Sequence, residues 1–111
     1  MQVTSSPPAR VQLHGQWTMN EASERHQLLA GELAGLLEAK PRPGCAQIDL
    51  GEVTGVDACG CQLLTVFLAQ LHRHGIACEA CGIPQQVAET ISLLGFSDAW
   101  AMFAAPEKEN L

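Results

Sequence analysis

The sequence predicts a single α/β domain: a mixed, mostly parallel sheet of four to five strands flanked by helices. Three observations predict it. Apolar runs of strand length alternate with longer stretches whose apolar residues recur at helical spacing, and that alternation implies parallel strands joined by right-handed crossovers. Glycine and proline punctuate the boundaries. The chain has 111 residues, 47% of them hydrophobic, which suits one domain with one core.

Residues 1–10 contain "SSPP" and are expected to form an N-terminal arm or a short edge strand. Val11, Leu13 and Trp17 then alternate with Gln12, His14 and Gln16, the period of a half-buried strand, and Gly15 suggests a bend near its end. Thr18-Met19-Asn20-Glu21 fits a capping box, with Thr18 as N-cap, Glu21 reaching back and Asn20 as the competing cap. A helix to about Lys40 follows, with Ala22, Leu29, Leu33, Leu36 and Leu37 as its apolar stripe, and "KPRPG" ends it. A second strand runs from Cys45 through Ala46 and Ile48 to about Leu50, and "GEVTGVDACG" reads as a loop. The second helix spans about Cys59 to His74, with Leu63, Phe67 and Leu71 toward the sheet and Gly75 after its end. Ile76–Cys81 is a third strand. Pro84 opens a third helix carrying Val87, Ala88, Ile91 and Leu94, and Gly95 stops it. A last short element holds Trp100 and Phe103. Residues 11–104 are thus the domain and 105–111 a C-terminal tail.

Composition narrows the partners. The net charge is −6, from 6 Lys+Arg against 12 Asp+Glu, which argues against nucleic acid and gives no polybasic patch for anionic lipid. No apolar run is long enough for direct membrane insertion, and "MQVTSSPPAR" lacks the apolar core of a signal peptide. A cytoplasmic chain with reduced thiols is the expectation, its five cysteines being an odd number.

The run "IDLGEVTGVDACGCQLL" is the informative one, because Asp57-Ala58-Cys59-Gly60 sits where a loop becomes a helix. A helix N-terminus leaves backbone N–H groups unpaired and carries partial positive charge, so it can hold an anion or present a recognition surface. Catalytic and metal readings fare worse. Cys59 and Cys61 diverge by about 200° on a helix, and Cys78 and Cys81 point to opposite faces of a strand. Small thiols filling a core explain them better. Cys59 alone, at a helix N-terminus, could be a thiol-redox sensor. His72 and His74 lie about 20 Å along the same helix, too far to serve it as a base. Asp49 reads as a strand-end residue and Asp57 as a turn or N-cap residue. No metal, cofactor or catalytic set is expected.

The chain resembles the STAS domain family, which joins a cytoplasmic domain of sulfate transporters with the anti-sigma factor antagonists. The matching residues are Asp49-Leu50, Val56-Asp57, Gly60, Arg73 to Gly75, Pro84-x-x-Val87 and Leu93-Leu94-Gly95, over about residues 11–104. The resemblance implies no enzymatic activity. It implies a regulator or adaptor that binds a protein partner through Asp57, Ala58, Cys59, Gly60, Gln62 and Thr65, with Gly15, Trp17 and Thr18 beside them. In the anti-sigma antagonists a serine before the helix glycine is phosphorylated by the partner kinase, adding about −2 charge and breaking the complex. Cys59 occupies that phosphosite-equivalent position here and Ala58 the one before it, so neither offers a hydroxyl. Gly15-Gln16-Trp17-Thr18 also departs from the family's G-E-L-D, and the C-terminus is short for the usual final helix. The resemblance leaves three partner classes open: an anti-sigma kinase, a bacterial chemotaxis protein, or the ATPase of an ABC-type phospholipid transporter.

Overall fold

A computed structural model describes residues 8–104. Strand β1 (Ala9–Trp17) is followed by a 3-10 turn (Met19–Glu21) and helix α1 (Ala22–Glu38). Then come β2 (Cys45–Val56), α2 (Ala58–Arg73), β3 (Ala77–Cys81), α3 (Gln85–Leu93) and α4 (Ser97–Met102). The sheet order is β1-β2-β3 with β2 in the centre, and both pairings are parallel. The expected α/β class and helix-flanked parallel sheet are present, but the sheet has three strands among the described residues, not four to five, and no antiparallel member makes it mixed. The sequence places a further strand in the N-terminal arm. Ala9 and Arg10 instead extend β1, while residues 1–7 and the tail from 105 lie outside the described residues.

Along β1 the alternation has its expected consequence. Val11, Leu13 and Trp17 are buried, and Gln12, His14 and Gln16 are exposed on the other face. β2 runs to Val56, six residues past the expected end at Leu50. The second half of β1 supplies the ladder partners: His14 pairs with Glu52, Gly15 with Val53 and Trp17 with Val56, through two irregularities of register. Each bulge re-aims the strand, so Val53 turns inward after Leu50 although the two are three residues apart. Asp49, expected at a strand end, is therefore in mid-strand. Its carboxylate accepts from Gly51 N–H at 2.8 Å and from Arg10 at 2.6 Å. The Gly51 N–H, then Arg10, holds this carboxyl below its ordinary range.

Helix α1 stops at Glu38, two residues before Lys40, and Arg42 donates back to the Leu37 carbonyl at 3.2 Å, supplying a partner for an end-of-helix acceptor. Leu29 is buried and Leu33, Leu36 and Leu37 pack on the core at half burial. Helix α2 contributes Cys61, Leu64, Phe67, Leu68 and Leu71 to the core. Leu63, expected toward the sheet with Phe67 and Leu71, is only half-buried beside it. The helix closes as expected after His74: Gly75 N–H donates to His72 O at 3.0 Å and Ile76 N–H to Leu71 O at 2.9 Å. Trp100 of α4 donates through its indole N–H to Thr65 of α2 at 2.8 Å, and Phe103 O accepts from Cys78 N–H at 2.8 Å, so α4 is tied to both α2 and β3.

Candidate functional site at the α2 N-terminus

The C-terminal ends of β1 and β2 meet the first turn of α2, and the residues singled out by the sequence gather there. Gly60 explains how closely. A Cβ at this position would lie 1.7 Å from Trp17 O and 2.6 Å from Trp17 C, so only a hydrogen lets the helix rest on the backbone of β1. Asp57 N–H also reaches Trp17 O at 3.3 Å.

Asp57 is the N-cap, as one of its two expected readings had it. Oδ1 accepts from Gly60 N–H at 2.9 Å, and Oδ2 accepts from Met19 N–H at 2.9 Å. One carboxylate therefore caps α2 and pins the 3-10 turn to it. These two N–H donors, Gly60 first, hold the Asp57 carboxyl below its ordinary range. The partial positive charge of the helix end is matched by the chain's own acid rather than left for an external anion.

The neighbouring charges are committed in the same way. Glu21 accepts from Thr18 N–H at 3.1 Å and from the Thr18 hydroxyl at 2.5 Å, and the hydroxyl is the main reason its carboxyl sits below the ordinary range. Arg25 donates to Gln16 O at 2.9 Å while its guanidinium lies 5.1 Å from the Trp17 ring centroid. Gly15 has φ 80, and a side chain there would meet Arg25 Nη2 at 2.9 Å.

This geometry divides the nominated residues into supports and surface. Trp17 is fully buried, its indole donating to His14 O at 3.1 Å, so it carries the surface from beneath. Gly60 is buried too. Thr65 is spent internally: its hydroxyl donates to Cys61 O at 2.7 Å and accepts from Trp100. Ala58 and Gln62 are exposed, and Cys59 is partly so. The sequence reading missed Met19, which is 69% exposed beside Asp57. Its only sequence signal was an apolar residue just after the capping threonine.

All five cysteines are free. Cys61 and Cys78 fill the core as small apolar groups, and burial pushes their thiols up to about 11 and about 12. Among the described residues no three His, Cys, Asp or Glu side chains gather in a metal-holding cluster.

Comparison with known proteins bears on the fold and the family. No curated protein sequence matches the chain. A sulfate transporter family protein from Wolinella succinogenes superposes with a TM-score of 0.67 at 18% identity, over 89% of this chain and 75% of that one. The STAS domain of a SulP transporter from Vibrio cholerae gives 0.71 at 16% identity, over 88% and 71%. The murine solute carrier 26 member A9 anion transporter gives 0.70 at 19% identity, over 86% of this chain but 15% of its own length. At these identities the structures speak for the fold. The STAS domain family model matches residues 20–108, and the chain belongs to that family.

Proposed function

We propose that this STAS protein is a non-catalytic regulator or adaptor that binds a protein partner through the N-terminal end of α2. STAS domains are generally non-catalytic and commonly mediate protein–protein contacts. The observation that carries the reading is the Asp57 clamp. It fixes Met19, Ala58, Cys59 and Gln62 in one place while consuming the charge beneath them. Rigid, uncharged, partly apolar patches suit the core of a protein interface, where charged residues are depleted and methionine is enriched.

The mode of binding resembles that of the anti-sigma factor antagonists, with the phospho-switch at positions 58 and 59 removed by Ala58 and Cys59. Such a protein serves a cytoplasmic signalling pathway, with a chemotaxis protein or an anti-sigma kinase as its partner. A second reading comes from the family resemblance: the chain would be the cytoplasmic STAS subunit of an ABC-type phospholipid transporter and the partner its ATPase. The solved neighbours support only a transporter setting, being sulfate or anion transporter proteins or their STAS domains. No helix among the described residues is long and apolar enough to cross a membrane.

The test is capture of a partner from the source cell by wild type and by Ala58→Glu and Cys59→Asp. Acid at a helix N-terminus suits the fold, so both variants are expected to keep wild-type stability within about 1 kcal/mol and to lose the partner. The identity of the captured protein, signalling protein or transporter ATPase, separates the two readings. Retention of the same partner by both folded variants would show that the recognition surface lies elsewhere.

A further inference from the structure

We draw no further inference here: the strongest candidate, the open apolar groove between α1 and α2 lined by Leu29, Leu33, Leu63, Val66 and Phe67, is an unpartnered helix face, and nothing among the described residues shows what covers it.

Discussion

Gly60→Ala adds one methyl where the structure has no room for it. The new carbon would sit 1.7 Å from Trp17 O, 2.6 Å from Trp17 C and 3.0 Å from Trp17 Cβ. The first two neighbours are backbone atoms of a buried strand, so no side-chain rotation relieves the clash. The first turn of α2 must retreat by more than an ångström. Retreat stretches the Asp57 N–H contact to Trp17 O, already 3.3 Å, and pulls Asp57 away from Met19 N–H. Overpacking costs about 1–3 kcal/mol, and a contact this short belongs at the top of that range. A weakened cap adds about 1 kcal/mol, and the better helix propensity of alanine returns up to about 1 kcal/mol. The net loss expected is about 3 kcal/mol, a large part of the 5–15 kcal/mol typical of a domain. Urea titration with linear extrapolation measures it. Gly31→Ala and Gly35→Ala are the controls, since nothing lies within 4 Å of a Cβ at either position. Each should gain stability, by up to about 1 kcal/mol. If Gly60→Ala stays within about 1 kcal/mol of wild type, or if the controls lose as much as it does, the helix does not rest on β1 as described.

Leu71→Ala removes a fully buried side chain and should cost about 2–5 kcal/mol, whereas Leu63→Ala, half-buried beside the groove, should cost clearly less; urea midpoints of the pair check the helix phase. Alkylation of native protein followed by peptide mapping should label exposed Cys45 readily and spare Cys61 and Cys78, whose burial pushes their thiols up to about 11 and about 12; rapid labelling of either would contradict the core packing. Asp57 binds its proton less readily in the folded chain than in the unfolded one, where the ordinary value is about 3.9, because Gly60 and Met19 N–H groups favour the carboxylate. Its contribution is therefore complete above that ordinary value and is lost as pH falls through the lower folded one. Wild type should exceed Asp57→Asn in stability near neutral pH, and the gap should shrink on acidification below about pH 4. A gap that does not change with pH would mean the carboxylate charge is not what the two N–H groups hold.

Much of the fold was legible because local signals agreed with one another. The alternation along β1, the helix-period leucines of α2 and the glycine after His74 each reported the element that formed. The misreadings have physical causes. "GEVTG" looked like a loop because glycine and glutamate are poor strand formers. What makes it a strand is pairing with His14–Trp17, a long-range partner that no local window contains. Among the described residues the sheet is narrower than expected, because Ala9 and Arg10 of the expected arm only lengthen β1. At the site, the cap role of Asp57 was readable from its place before the helix, but its second bond, to Met19 N–H across 38 residues, was not. For the same reason the sequence does not separate Trp17 and Thr65 from the exposed residues beside them. Position near the loop is visible in a sequence, whereas burial under it and a hydroxyl engaged by Trp100 are tertiary facts.

The polar groups at the α2 end hold the architecture without a hydroxyl at position 58 or 59. A structural serine there would be expected to satisfy some of the free N–H groups of the helix. In this chain Asp57 does that work from the preceding position, Gly60 sets the closeness of approach, and Trp17 and Arg25 brace the strand end beneath. None of these roles passes through the side chains of Ala58 or Cys59. Those two positions are thus free of structural duty, and their substitution can alter what the surface offers without altering how it is held. That separation is why stability and binding at the proposed surface are expected to part company in the Ala58 and Cys59 variants.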